Sequence, residues 1–525
     1  MRDMSSSPGG GVSVGPVRAW LDRHFKHAAR GGELRSTSAS ILAAATGSIA
    51  ALAVEPGAPA VLGLAAFSPL LFVVGRSAPR AALFAGWAAG AVFAFASHRF
   101  LPSAVAGPMN LGEVRAWGAL ALFAIYRGLP WGLASWSGAT IARRGGRGPL
   151  AAAVVFTALE LVWPALLPFP FGASLSSQLE LLQLADVLGP CGTTLLAVLC
   201  AAALAEVAAG RDRATLAAAT FGLVAAFGYG SWRIARVDRD VAGAEALTAR
   251  LVQPAHQRDG ARALNGVGLE GAAADGADVT IWPESALPRP LAAEDAAGLA
   301  SALFASPDGP VLAGALESRA GALSNVALLF EPGGAVAGRY EKRELVPLAE
   351  PRASSAIGPW LGVPGHREGS EQPPIEVGHV RLSVTICYEV LVSSYVTELV
   401  TRTRGRAIVN LANDGWFRGA TEPELHLLSS RLRAIETRRA VLRAANDGVT
   451  AAIDPAGREL ARLPGRSPGT LTVTVPLLDE ETIYARWGAA PLALVLVVLA
   501  AVATRAHRLG GPARGTQLGS RLPRG

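Results

Sequence analysis

The sequence predicts a multi-helix transmembrane bundle joined to an α/β sandwich domain. Three observations predict it. Of the 525 residues, 51% are hydrophobic and only 17% charged. The first 234 residues carry repeated apolar stretches close to the ~20 helical residues that span a bilayer. From residue 246 onward, short strand-like runs alternate with helical stretches.

In chain order, residues 1–38 read as a cytoplasmic tail rich in Gly, Ser and basic residues, without the short apolar core and cleavage site of a secretory signal. Seven membrane helices are expected within 39–234, near 39–55, 58–75, 81–97, 117–141, 149–167, 187–209 and 214–232. An eighth, near 489–504, falls within a membrane segment at 486–505, and a second basic tail occupies 506–525. The segment opening with Pro168-Phe169-Pro170-Phe171-Gly172 reads as dipping into the interface rather than running free in water. Arg127, inside the fourth apolar stretch, is costly in lipid and is expected to face the bundle or a polar cavity, with a headgroup contact as the alternative.

Basic residues in short loops stay on the cytoplasmic side. Arg18, Arg23, Lys26, Arg30 and Arg35 precede the first helix, and Arg76 and Arg80 follow the second. Arg143, Arg144 and Arg147 follow the fourth, Arg211 and Arg213 the sixth, and Arg505 and Arg508 the last. Only Arg99 and Arg115 break the alternation. Both termini are therefore expected in the cytoplasm, and the domain at 246–478 on the opposite face. The net charge of +7 is then a topology signal, and no nucleic-acid partner is expected.

Within 246–478, strands are expected at 249–253, 278–282, 310–314, 324–330, 380–386, 406–411, 449–453 and 469–475, and a helix at 422–444. A Pro-, Gly- and Ser-rich loop is expected around 350–374.

Three residues in this domain have the chemistry of a catalyst. Cys387 ends the run Val384-Thr385-Ile386 and is the only cysteine outside the apolar stretches. Cys191 and Cys200 share one predicted helix roughly 13 Å of rise apart, too far to bridge within it. Glu284 follows Val279-Thr280-Ile281-Trp282-Pro283, where a strand gives way to a loop, and is a candidate general base. Lys342 is one of two lysines, the other being Lys26, in a chain that otherwise uses arginine. That exception suggests a compact, titratable ammonium is needed. Taken singly, each has an ordinary alternative as packing or a surface charge.

The order and context of Glu284, Lys342 and Cys387 resemble the Glu-Lys-Cys triad of the nitrilase superfamily, over roughly residues 246–478. Asn410-Leu411-Ala412-Asn413-Asp414-Gly415-Trp416-Phe417, Ser430 to Arg439, Asn446-Asp447-Gly448-Val449 and Asp454-Pro455-Ala456-Gly457 extend the match. The resemblance implies an αββα sandwich and no metal or other cofactor. With seven helices before the domain and one after it, the chain resembles the apolipoprotein N-acyltransferases, an integral membrane family of the bacterial inner membrane whose catalytic domain is periplasmic. Gln183 to Gly192 and Thr482-Ile483-Tyr484-Ala485-Arg486-Trp487-Gly488 add to that likeness. Tyr484, Arg486 and Trp487 are expected to anchor at the membrane interface.

The resemblance implies that Glu284 deprotonates Cys387 and that Lys342 stabilises the oxyanion formed on an acyl ester, with a backbone N–H beside Cys387 as a further donor. It implies a phospholipid acyl donor, a thioester intermediate, and a diacylglyceryl apolipoprotein as acceptor. Glu350 is expected to orient Lys342 or assist the base. Glu389 is expected on the same strand face as Cys387 if the strand continues that far; a surface salt bridge is the alternative for each. Tyr388 and Trp416 are candidates for shaping the lipid pocket, with core packing as the alternative. Val252-Gln253-Pro254-Ala255-His256 and Leu348-Ala349-Glu350-Pro351-Arg352 depart from the family's usual runs. A membrane-tethered amidase using water as acceptor and a catalytically silent scaffold are the competing readings.

Overall fold

The computed structural model describes residues 36–106, 112–210, 213–254, 276–287, 291–292, 309–319, 321–355, 364–370, 373–417 and 421–505. Most of both expected basic tails, and the departure at Ala255-His256, lie outside these residues.

The helical part comprises α1 (Ser36–Ala53), α2 (Ala60–Ala65), α3 (Ser68–Val74), α4 (Pro79–Ser97), α5 (Leu101–Ala106), α6 (Gly112–Arg143) and α7 (Gly148–Val162). It continues through α8 (Leu179–Leu182), α9 (Ala185–Leu188), α10 (Pro190–Ala208) and α11 (Arg213–Val241). Among the described residues, α1, α4, α10 and residues 214–241 of α11 are long and apolar enough to cross a membrane, and α7 is a shorter apolar helix. The expected second span is broken into α2 and α3, where Pro69 in the first turn of α3 has no N–H to continue the preceding helix. The fifth ends at Val162 rather than 167, because Trp163 precedes Pro164 and takes an extended conformation.

Close backbone approach packs α4 on α6. A Cβ on Gly90 would come within 2.6 Å of the Trp131 ring, and one on Gly128 within 2.5 Å of the Trp87 carbonyl. Small residues at such a crossing allow dense van der Waals packing where lipid supplies no hydrophobic drive. Phe67 stacks on Trp131 at 4.2 Å and meets Phe171 edge-on at 4.8 Å. Phe171 begins a buried 3-10 turn (Phe171–Leu175), so the expected dipping segment folds back into the bundle. Its first N–H groups are satisfied by Glu160 Oε1 at 2.8 Å and Thr194 Oγ1 at 2.7 Å.

The second half contains two mixed sheets. The first runs in the order β13 (Gly469–Pro476), β1 (Ala246–Gln253), β2 (Val279–Ile281), β4 (Val311–Arg319), β5 (Ala322–Phe330), β6 (Val336–Glu341), with β3 (Leu291–Ala292) paired to β4. The second runs β12 (Glu459–Arg462), β11 (Ala451–Ile453), β10 (Ala440–Asn446), β9 (Ala407–Asn413), β8 (Val380–Ile386), β7 (Ile375–Val377). One core joins them: Leu247 and Leu251 of the first sheet with Leu382, Ile386 and Leu442 of the second. Helices α12 (Ser393–Thr403) and α13 (Glu422–Thr437) add Val396, Leu399, Leu427 and Ala434 to that core. The short helix α14 (Ile483–Trp487) leads into the last apolar helix, α15 (Ala490–Thr504).

The helix expected over 422–444 is corrected by this topology. Arg438 takes a left-handed conformation (φ 51°) that ends α13, and residues 440–446 form β10. The run Ala-Val-Leu-Arg-Ala-Ala-Asn favours a helix intrinsically. Parallel pairing with β9 from Ala440 to Asn446, with every residue buried, overrides that preference. Strands β3, β6, β7 and β12 lie outside the runs expected from sequence. The described parts of the 350–374 loop are pinned to β5, with Arg367 N donating to Leu323 O at 2.7 Å and Ala353 N to His366 O at 2.8 Å.

Buried charge joins the two halves. Arg438, just after α13, donates to Asp186 Oδ2 at 2.6 Å and Gln183 Oε1 at 2.8 Å. Arg233 of α11 donates to the same Asp186 Oδ2 at 2.7 Å and to Glu480 at 2.6 Å. The Gln183–Gly192 run that the sequence singled out is thus part of the joint.

Candidate active site

Glu284, Lys342 and Cys387 each lie just beyond the end of a strand: β2, β6 and β8. The two sheets face each other, so these ends meet. Gly314 on β4 lets the Glu284 backbone come close, since a Cβ there would sit 2.6 Å from Glu284 Cα. Cys387 has φ 50°, a strained left-handed conformation directly after a strand.

Lys342, 1% exposed, is held between two acids. Its Nζ lies 2.8 Å from Glu350 Oε2 and 3.7 Å from Glu284 Oε1. Asn325 Nδ2 bridges the same acids, donating to Glu284 at 2.6 Å and to Glu350 at 3.3 Å. Val346 N–H donates to the same Glu350 Oε2 at 2.7 Å. Cys387 lies close enough to Glu284 and Lys342 for both charges to act on its thiol. The structure thus brings the three triad residues and Glu350 together, and Glu350 contacts Lys342 directly.

Burial alone would push the Lys342 ammonium towards its neutral form, but Glu350 and Glu284 reverse this and raise its pKa, so it stays charged. Burial would likewise raise Glu350, yet Lys342 holds it below the usual carboxylate range. Glu284 differs: burial raises it, Lys342 opposes, and Glu350 adds to the rise. Burial and Glu284 push the Cys387 thiol well up. The resting pair is therefore a neutral thiol facing an acid whose proton affinity has been raised, which suits a general base.

Glu389 departs from the expectation. The strand stops at Ile386, and Cys387–Leu391 form a 3-10 turn, so Glu389 does not share a strand face with the sulfur. Its buried carboxylate instead ties the turn at Cys387 to the lysine segment. Oε2 accepts from Ile386 N–H at 2.7 Å and Tyr340 OH at 2.6 Å; Oε1 accepts from Arg343 N–H at 2.7 Å and Glu344 N–H at 3.1 Å. Burial raises its pKa to about 7, against these donors.

Sequence reasoning missed a second buried network behind the sulfur. His426 Nε2 lies 3.0 Å from the Cys387 carbonyl, which can only accept, so that nitrogen carries the hydrogen. Arg443 donates to Asn410 and to Asp414, the latter at 2.6 Å, and stands 3.2 Å from His426 Nδ1. Burial and Arg443 lower the His426 pKa and keep the ring neutral. Asp414, Glu422 and His426 bring possible metal-ligand atoms within 4.8 Å of one another, but the Arg443 guanidinium already supplies the positive charge at Asp414. A polar Asn325 in β5 and Arg443 in β10 were the available signals, since a polar group in a fully buried strand needs a partner.

Tyr388 is 7% exposed and lines a cavity of about 830 Å³ between the helical part and the catalytic domain, as does Arg127. Tyr484 lines it too: it is buried, with its hydroxyl 2.9 Å from Ser393 Oγ, so it is not the interfacial anchor expected. Trp487 is 63% exposed with the Arg486 guanidinium over its ring, and these two fit that role. The backbone of Trp416 belongs to the turn after β9, while its side chain lies outside the described residues. Phe100, before α5, meets Phe417 edge-on at 5.4 Å, bringing the helical part against that turn.

The fold and site define a member of the carbon–nitrogen hydrolase class carried on a bundle of apolar helices. Residues 223–483 match the family described as Carbon-nitrogen hydrolase, and residues 46–203 match Apolipoprotein N-acyltransferase N-terminal domain. The chain is 32% identical over 385 residues to the apolipoprotein N-acyltransferase of Bradyrhizobium diazoefficiens, covering 65% of this chain and 70% of that one. It is 26% identical over 494 residues to that of Geobacter metallireducens, covering 85% and 91%. The chain belongs to the apolipoprotein N-acyltransferase family.

Proposed function

We propose that the chain transfers a fatty acyl group from a membrane phospholipid, through a thioester on Cys387, to the α-amino group of the S-diacylglyceryl cysteine at the N-terminus of an apolipoprotein. The observation that carries this reading is the convergence of Glu284, Lys342 and Cys387 beside the apolar helices. Glu284 takes the thiol proton as sulfur attacks the ester carbonyl. Lys342 offers positive charge to the oxyanion, and collapse breaks the acyl–oxygen bond. The proton passes from Glu284 to the leaving lysophospholipid alkoxide. In the second half-reaction Glu284 accepts a proton from the attacking amine, and the thiolate leaves and is reprotonated. The scheme is ping-pong.

In this reading the catalytic domain is periplasmic, at the outer leaflet of a bacterial inner membrane, and both termini are cytoplasmic. Donor and acceptor are both lipid-anchored there and arrive by lateral diffusion. A site this buried protects the thioester from water.

Incubating the purified protein with phospholipid alone tests the reading. Mass spectrometry is expected to find one acyl chain on Cys387, stable until a diacylglyceryl peptide with a free amine is added, and none on Cys387→Ala. Continuous release of free fatty acid without peptide would instead indicate an amidase-like hydrolase.

A further inference from the structure

The cavity of about 830 Å³ contains none of Glu284, Lys342 or Cys387 on its walls. It is bounded by the ends of three apolar helices, at Val162 of α7, Pro190 of α10 and Ala489 before α15, and by the exposed side of α12. Most of its wall is apolar, yet two hydrogen-bond donors in it have no partner. Arg127, midway along α6, makes no hydrogen bond or ion pair among the described residues. Trp163 Nε1 is buried and likewise unpaired.

The other two arginines on the wall are already paired. Arg433 pairs with Glu436, and Arg402 with Glu398 at 3.3 Å. Glu160, the acid whose charge bears on Arg127, accepts from the Phe171 N–H and is not within ion-pair distance of the guanidinium. A guanidinium held in an apolar bundle without a partner is costly. A guanidinium and an indole N–H facing one apolar chamber match a phosphate ester that carries hydrocarbon chains.

We propose that this cavity holds a resident phospholipid, its phosphate on Arg127 and Trp163 Nε1 and its chains along α7 and α15. This lipid is distinct from the acyl donor. The site also bears on catalysis, because Tyr388 and Leu391 of the turn that begins at Cys387 form part of its wall.

The test is native mass spectrometry of the full chain in detergent. Dioleoylphosphatidylglycerol is compared with dioleoylglycerol, which has the same chains without phosphate, and with inorganic phosphate as competitor. The expected result is one retained phosphatidylglycerol, no retained dioleoylglycerol, and at least a five-fold loss of retention in Arg127→Gln. Trp163→Phe, which removes only the N–H, should fall between the two. In the wild type the retained lipid should keep both chains while Cys387 carries an acyl group. Equal retention of the two lipids, or equal retention by wild type and both variants, would overturn the proposal. Displacement by millimolar inorganic phosphate would overturn its lipid half. Conversion of the retained lipid to its lyso form would make it the donor and refute residency, whereas failure of Cys387 to acylate would bear only on the proposed function.

Discussion

Lys342 Nζ sits 2.8 Å from one oxygen of Glu350, while Glu350's carboxylate is also anchored by the Val346 N–H. The ammonium is therefore placed by an acid that is itself fixed, and it keeps its charge despite near-complete burial. This pairing makes the role of the lysine testable.

Lys342→Arg keeps the charge but loses the point geometry. A planar guanidinium cannot satisfy Glu350 and Glu284 in the space of an ammonium and still face an oxyanion. Acylation of Cys387 by phospholipid is expected to slow by at least about 100-fold, the scale of losing an oxyanion donor. The measure is the rate of the acyl mass increment. Near-normal rates would remove the role given to this lysine.

Glu350→Gln is expected to move the whole pH profile towards acid, besides lowering its height. Glu350 raises the pKa of Lys342, so without it burial is less opposed, the ammonium deprotonates sooner, and the alkaline limb moves down. Glu350 also raises Glu284 by like-charge repulsion, so its loss lets the base ionise at lower pH and the acid limb moves down too. The measurement is kcat/KM against pH for the two proteins. A profile that only shrinks, with both limbs fixed, would count against this coupling.

The candidate site is legible in the sequence because Glu284 and Cys387 each follow a short apolar run, and because Lys342 stands in a chain that has only two lysines. What holds the triad was less legible. The placement of Glu389 depends on where the strand ends, and the 3-10 turn at Cys387 is held by contacts from Tyr340, Arg343 and Glu344, distant in sequence. Asn325 and Arg443 lie in strands whose neighbours are found only through sheet pairing. The β10 sequence favours helix because Ala, Leu and Arg are local helix formers, and only its place between β9 and β11 decides otherwise. The bundle is legible to within about five residues at most helix ends, but the seventh span runs nine residues further than expected, to Val241, because its amphipathic end Arg233–Val241 stays helical.

Asp186→Asn is expected to loosen the joint between the two halves. Asp186 takes charge-assisted hydrogen bonds from Arg233 and Arg438 and a further one from Tyr229 at 2.7 Å. Removing its charge leaves two buried guanidiniums facing each other, a loss of roughly 3–5 kcal/mol for a broken buried pair. The thermal midpoint in detergent should fall, and proteolysis between the halves should speed up. An unchanged midpoint would mean that the joint is held by other contacts.

His426 offers the last test, on positioning rather than chemistry. Its Nε2–H holds the Cys387 carbonyl at 3.0 Å, while Arg443 donates to its Nδ1 at 3.2 Å and Asp414 anchors that guanidinium. Asn410 Nδ2, at 3.5 Å, is a weak second donor to the same carbonyl. His426→Leu leaves that carbonyl nearly unsatisfied, worth about 1–3 kcal/mol, and frees the turn whose φ of 50° aims the sulfur. Thioester formation should slow by about ten-fold or more, mainly in kcat, because the substrate surfaces are untouched. His426→Gln, which keeps an amide donor of similar reach, should recover part of the rate. A histidine that merely fills space would give equal losses in both variants, and the rate at which a small alkylating agent labels Cys387 would then stay the same across all three proteins.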